Sequence, residues 1–247
     1  MLRDFSKENF DVIIQAGQSN SEGYGYGDAQ NPFKKDERIL YLNPDFIICT
    51  AQERIADNAI AGNFALNFCT RYIEDGKLQP ERKILIIRAA VGGTGFSDRR
   101  WGLKDDLFLR MTEMIKTALE LNPKNRLICF LWHQGETDVY ANLSGDTYYH
   151  YLLTLVQTVR DTFNCPALPF VAGDFVQRWK SENPETSAAI SAATRRICSE
   201  IGSAAFVETD GLLSNGEILG NSDTIHFCRN ALNQLGDRYY KEFCGIK

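Results

Sequence analysis

Five short runs of apolar, largely β-branched residues punctuate the chain: Val12 to Ala16, Ile84 to Ala89, Leu127 to Trp132, Pro169 to Ala172, and Ala205 to Val207. Near-continuous apolar character implies burial on both faces, as in a parallel sheet. Between the runs, apolar residues recur at helical spacing. Phe64, Phe68 and Tyr72 form one such stripe, and Leu103, Leu107, Met111, Ile115 and Leu119 another. Leu152, Val156, Val159 and Phe163 mark a third helix, and Leu232, Leu235, Tyr239 and Phe243 the last. Each stripe can pack on a sheet. Strand and helix therefore alternate, which predicts an α/β fold: a three-layer α/β/α sandwich with a five-stranded parallel sheet and right-handed crossovers. Asn122-Pro123, Asn164 to Pro166 and Asn183-Pro184 read as loops. The segment Tyr24 to Asp57 is the least regular; it reads as a long loop with one short strand near Ile39 to Leu42, placed over the site.

At 247 residues, with no repeat, low-complexity tract or linker, the chain reads as a single domain spanning residues 1–247. A net charge of −5 gives no general attraction to phosphate backbones or anionic lipid, so neither nucleic acid nor membrane is expected as a partner. Seven cysteines, an odd number without CxxC spacing, read as thiols of a reducing compartment, with a pairing of Cys228 and Cys244 left open. The first residues, Met-Leu-Arg-Asp-Phe-Ser-Lys-Glu, lack the basic-then-apolar pattern of a secretion signal. A cytoplasmic location is the expectation.

In a parallel α/β sheet, ligands bind beyond the carboxyl ends of the strands. Polar or glycine-rich clusters stand there: Gly17-Gln18-Ser19-Asn20 after the first run, Gly92-Gly93-Thr94-Gly95 after the second, and His133-Gln134-Gly135-Glu136-Thr137-Asp138 after the third. Asp223-Thr224-Ile225-His226 falls in a polar loop after the last. Ser19 reads either as a nucleophile awaiting a base or as a helix cap. Asp223, three residues before His226, can hold the imidazole at one nitrogen and leave the other free as a base; a capping Asp beside an unrelated surface His is the alternative. The glycines near Gly93 lack the Lys-Ser/Thr ending of a phosphate loop, but they let a backbone N–H face a small cavity, as an oxyanion hole needs. His133 has no second histidine at helical spacing and no cysteine nearby, so no metal is expected; His133 and His150 read as structural. Trp101 and Trp179 are candidates for sugar contact.

Together these blocks resemble the sialate O-acetylesterase-like group of the SGNH-hydrolase superfamily, which includes carbohydrate esterase family six and its acetyl xylan esterases. The matching stretches are Ala16 to Asn20, Gly92 to Thr94, Trp132 to Asp138 and Ser222 to Phe227, with secondary matches at Trp101, Asp106 to Phe108, and Leu235 to Tyr240. They occur in the family's order and span nearly the whole chain. The resemblance implies a flavodoxin-like SGNH-hydrolase fold, with Ser19 as nucleophile and His226 as general base. It implies an oxyanion hole from the N–H groups of Ser19 and Gly93 and the side-chain amide of Gln134. Asp223 is the expected orienting acid and Glu136 its rival. Gln18, Asn20 and Trp101 are expected to contact substrate. The family often has Met after the Gln-Ser-Asn block; here Ser21 and Glu22 follow.

The expected activity is hydrolysis of carbohydrate O-acetyl esters, of the acetyl xylan or sialate type, through an acyl-enzyme and without metal or organic cofactor. Two alternatives stand beside it. One is another SGNH enzyme, such as a lipase, thioesterase or peptidoglycan deacetylase; the other is a non-catalytic carbohydrate-binding protein on a hydrolase fold. A nucleotide-binding α/β protein rests only on the glycines near Gly93. The oligomeric state has no signature in the sequence.

Overall fold

The computed structural model describes residues 4–56 and 58–246. In chain order the elements are β1 (Asn9–Gly17), α1 (Ser19–Glu22), β2 (Ile39–Leu42), β3 (Ile48–Thr50), β4 (Arg54–Ala56), β5 (Ala59–Ala61), α2 (Phe64–Glu74) and β6 (Arg82–Arg88). They continue with α3 (Asp106–Glu120), β7 (Arg126–His133), α4 (Glu136–Tyr140), α5 (Gly145–Thr162), β8 (Phe170–Gly173), α6 (Gln177–Glu182), α7 (Pro184–Glu200), β9 (Ala204–Val207), α8 (Asn215–Leu219) and α9 (Arg229–Gly245).

The main sheet has seven strands in the order β3-β2-β6-β1-β7-β8-β9, not the five that the apolar runs predict. All pairings are parallel except β2 with β3. The five predicted strands form one contiguous block, β6-β1-β7-β8-β9, in the flavodoxin-like order. The additions come from the irregular segment. Ile39–Leu42 pairs with β6 and extends the sheet, and β3 turns back antiparallel at the edge. The apolar Ile39–Leu42 reads as a short strand, but nothing local says that it joins the main sheet, and the three residues of β3 carry no apolar pattern to read. Past them, β4 and β5 form a separate two-stranded ribbon; Asp57, the last residue of that irregular segment, lies outside the described residues.

Helix α2 packs on α9, and α5 on α7. Right-handed crossovers place α3 with α5 and α7, opposite α2 and α9. The Asn183-Pro184 pair does not mark a loop: Asn183 ends α6 and Pro184 occupies the first turn of α7, where its missing N–H is not needed. Trp101, Trp132, Trp179, Tyr148 and Tyr239 are among the largest fully buried side chains. Each contributes roughly 1.5–3 kcal/mol or more of burial energy. At the amino ends of the central strands, buried Asp11 accepts from Arg82 (2.6 Å), Arg126 (2.8 Å) and Tyr72 (2.9 Å), tying β1, β6, β7 and α2 together.

At the opposite end, β1 and β7 terminate side by side. Gly17 pairs with His133, and the Gln18 N–H donates to the His133 carbonyl at 3.0 Å. Gly17 has φ +126°, and a Cβ there would lie 2.0 Å from the His133 carbonyl oxygen. Only glycine allows the strands to approach this closely. Gly17→Ala is therefore expected to destabilise the fold by about 3 kcal/mol or more. Urea unfolding checks this; a midpoint close to that of the unsubstituted protein would refute it.

All seven cysteines are free. Burial pushes the Cys69 and Cys129 thiols up, and Cys198 to about 12, so these are inert packing groups. Cys228 and Cys244 sit at opposite ends of α9, so the pairing left open does not form.

Candidate active site

The switch point of the sheet lies between β1 and β7, the neighbours whose connections leave in opposite directions. Ser19 follows β1 there as the first residue of α1. The cap position belongs to Gln18, whose side chain makes no capping bond, so the cap reading of Ser19 does not hold. The Ser19 Oγ instead lies 2.9 Å from Nε2 of His226. The other imidazole nitrogen, Nδ1, lies 2.9 and 3.0 Å from the two carboxylate oxygens of Asp223. Burial alone would raise the Asp223 carboxyl, but hydrogen bonds from His226 and from Asn215 outweigh it and hold the group below its usual range. The carboxylate at Nδ1 thus stays charged and fixes the tautomer with a free lone pair at Nε2, facing the serine hydroxyl. This arrangement can deprotonate Ser19.

Several neighbours set this geometry. The Asn215 amide donates to Asp223 at 2.8 Å and to the Tyr24 carbonyl. The Tyr24 ring stacks on the imidazole at 5.4 Å, with the Arg54 guanidinium 4.0 Å from its centroid. None of these was found from sequence: Tyr24 lies far from His226 along the chain, whereas Asn215 lies only eight residues before Asp223. A signal for Asn215 was present: Ser214 to Glu217 forms a capping box that starts α8.

The block His133 to Asp138 lies mostly beneath the site. His133 is fully buried, bonded through Nδ1 to the Tyr239 hydroxyl, and burial lowers its pKa to about 3. It is a neutral packing group, as read from sequence. The exposed His150 lies on α5 away from these contacts. Glu136 is also fully buried, and its Oε1 accepts from the Asn20 amide at 2.8 Å. No hydrogen bond joins Glu136 to His226 among the described residues; the carboxylate on the imidazole is that of Asp223. Asn20 also donates to the Ile225 carbonyl and accepts from the Phe227 N–H, so the Glu136–Asn20 pair clamps the backbone on both sides of His226.

Burial raises the Glu136 carboxyl above its ordinary 4.5, partly offset by the Asn20 bond. A raised acid favours folding below its unfolded pKa and loses that contribution as pH rises through the folded value. The neutral isostere Glu136→Gln escapes that loss. Its melting temperature relative to the unsubstituted protein should therefore climb from about pH 4 toward neutrality; a gap that does not change with pH would refute this.

Two of the expected substrate contacts are corrected. Asn20 is completely buried with its side chain committed as above. Trp101 is also completely buried, with its indole N–H on the Thr94 hydroxyl and its ring on Trp132. Trp179 is buried too, although its N–H donates to Tyr140, whose exposed ring borders the cavity. Gln18 does line the cavity. Ser21 turns inward onto the Ala16 carbonyl, whereas Glu22 accepts from the Gly92 N–H at 2.8 Å.

The cavity over Ser19 measures about 570 Å3, with Gln18, Gly93, Tyr24, Tyr140 and His226 in its walls. A larger one, about 670 Å3, lies between Gly27 to Gln30 and Leu212 to Leu219 and contains none of the Ser–His–Asp chain. Chemistry rather than size identifies the site. Gly93 has φ +68°, open space where a Cβ would be, and an N–H with no acceptor among the described residues. Gln134 is buried, and its Nε2 donates to Asp138 at 2.7 Å. Among the described residues no group of three or more His, Cys, Asp or Glu is arranged to hold a metal, and no helix is long and apolar enough to cross a membrane.

The family model described as carbohydrate esterase, sialic acid-specific acetylesterase, matches residues 9–245. The chain belongs to this family. It is a carboxylic ester hydrolase of the carbohydrate acetylesterase class. The chain is 25% identical over 237 residues to a protein of Escherichia coli (strain K12) named "Probable 9-O-acetyl-N-acetylneuraminic acid deacetylase", across 75% of this chain and 73% of that one. Among solved structures, a protein from Arabidopsis thaliana aligns with a TM-score of 0.77 at 20% identity, covering 96% of this chain and 98% of its own. NanS aligns with a TM-score of 0.77 at 19% identity, covering 97% and 98%. At these identities the two structures speak to the fold alone. It is that of the SGNH-type hydrolases.

Proposed function

We propose that this carbohydrate esterase removes an O-acetyl group from a sialic acid-type sugar by covalent catalysis at Ser19. The observation that carries the mechanism is the hydrogen-bonded chain Asp223–His226–Ser19 at the sheet's switch point. In the proposed reaction Ser19 Oγ attacks the acetyl carbonyl as His226 Nε2 takes its proton. The N–H groups of Ser19 and Gly93, together with a side-chain amide, receive the developing oxyanion. The imidazolium then protonates the departing sugar hydroxyl, and water activated by the same imidazole releases acetate from the acyl-enzyme. No step calls for a metal or organic cofactor.

The family model and the E. coli relative support an O-acetylated sialic acid over acetyl-xylooligosaccharides. The exposed ring of Tyr140 offers an aromatic face for a sugar ring. A cytoplasmic enzyme, supported by the free thiols, would act on sugars already imported and shortened. Acetate release from O-acetylated sialic acid, acetyl-xylooligosaccharides and simple esters of increasing acyl length tests the reading. The expected order has acetylated sialic acid first and long acyl esters last. Preference for long acyl chains would support a lipase or thioesterase instead, and binding without turnover a non-catalytic protein.

A further inference from the structure

We propose that the cavity lined by Lys35, Tyr41, Arg54 and Arg88 is a binding site for a phosphate group, separate from the cavity over Ser19. It measures about 380 Å3; three residues of its wall are cationic, and no aspartate or glutamate lines it. The acids nearest these cations are engaged elsewhere. Glu53 is held by Arg229 through bonds of 3.0 and 2.8 Å, and Asp36 by Arg38 at 2.6 Å. Glu22 lies 3.8 Å from Arg54, and its carboxylate also accepts from the Gly92 N–H. Arg88 donates to a neutral acceptor, the Glu22 carbonyl at 3.0 Å, and Lys35 has no ion pair among the described residues. Three cations against the one Glu22 carboxylate leave a surplus of two positive charges, which matches a phosphate dianion.

The second observation is buried donor capacity without a partner. The Tyr41 hydroxyl and the Arg54 Nη2 are both buried and have no acceptor among the described residues. Tyr41 as a whole is 4% exposed, and the Arg88 guanidinium stands 4.8 Å from its ring centroid. Burial pushes the Tyr41 phenol up, so the group stays protonated and available as a donor. Buried polar groups are rarely left unsatisfied. An oxyanion, which only accepts, answers both donors and forms the charge-assisted bonds that Arg and Lys make to phosphate. Lys35 and Cys49 in the wall are exposed, and the Arg54 side chain is 28% exposed, so an entering ion reaches these donors through a change of arginine rotamer. Arg54 and Arg88 also hold the end of α1 through the Gly23 and Glu22 carbonyls. The site therefore adjoins the helix that begins with Ser19, yet it shares no lining residue with the catalytic cavity.

The test is calorimetric titration of the full chain with inorganic phosphate at constant ionic strength, with chloride as the control anion. It compares the unsubstituted protein with Lys35→Gln, Tyr41→Phe and the double variant. Lys35 is exposed and Tyr41→Phe removes only an unpartnered hydroxyl, so these variants should fold. One saturable phosphate per chain is expected, weakened about five- to tenfold in each single variant and about thirtyfold or more in the double. A second readout locates the ion. Saturating phosphate should slow modification of Cys49 by N-ethylmaleimide severalfold, read by mass spectrometry, while Cys244, exposed outside this cavity, reacts unchanged. Glucose 6-phosphate separates the sources: binding tighter than that of inorganic phosphate assigns the site to a phosphorylated sugar, and equal or weaker binding assigns it to free phosphate. No saturable binding at tens of millimolar phosphate, full affinity in the double variant, or an unprotected Cys49 would overturn the proposal.

Discussion

Ser19→Ala is expected to lower kcat for acetate release by about ten-thousandfold or more while leaving the melting temperature almost unchanged. The Oγ makes its one recorded hydrogen bond to His226 Nε2. Its removal deletes the attacking atom and leaves the imidazole nitrogen in a cavity open to water, so no buried group is stranded. No other described hydroxyl is recorded on that nitrogen, so no neighbour can substitute as nucleophile. The remaining rate would come from the oxyanion donors and substrate binding alone. A stopped assay with unfolding curves on the same preparations checks both halves. A variant that stays folded with near-full activity would remove the acyl-enzyme mechanism altogether.

Asp223→Asn should cost about 10³–10⁴ in kcat, the second-largest effect. The carboxylate accepts from His226 Nδ1 with both oxygens and from the Asn215 amide with Oδ2. An asparagine cannot serve both partners. If its NH2 faces Nδ1, the imidazole proton moves to Nε2, and the base can no longer accept from Ser19. If its carbonyl faces Nδ1, its NH2 meets the NH2 of Asn215. In both arrangements the charge that stabilises the imidazolium is gone. Because the folded Asp223 carboxyl is held below its usual range, the unsubstituted enzyme should keep this charge well into the acid. The comparison with Glu136→Gln decides which acid orients the base. A crippled Glu136→Gln beside a nearly normal Asp223→Asn would move the role to Glu136.

The central sheet was legible because strands buried on both faces must be apolar throughout, so Val12 to Ala16 and Ile84 to Ala89 announce themselves. The edge was less so. Ile39–Leu42 was visible as a strand, but nothing local distinguishes a strand under a loop from one that joins β6. Cys49 and Thr50 in β3 have no pattern at all. In the site, Ser19, Asp223 and His226 stood out because each follows a strand end or precedes a helix with a residue type suited to proton transfer. Trp101 and Asn20 misled for one reason: a polar or aromatic residue next to a catalytic block is as useful for bracing it as for touching substrate. Only burial separates the two.

The chain order alone carried the layer architecture, the strand ends where polar residues gather, and Ser19 and His226 with two candidate acids, because periodicity and strand-end placement are local properties. Tertiary structure decided what those residues face. Asp223 rather than Glu136 meets the imidazole because the turn before α9 brings it to Nδ1, while Glu136 is buried against Asn20. Gln18 lines the cavity, while Asp138 and Tyr148 hold the Gln134 amide at both ends. Such outcomes depend on which donor finds which acceptor in space, whether the two lie three residues apart, as Asp223 and His226 do, or 116 apart, as Asn20 and Glu136 do. A hydrogen bond is satisfied by position in space, and spacing along the backbone does not encode it.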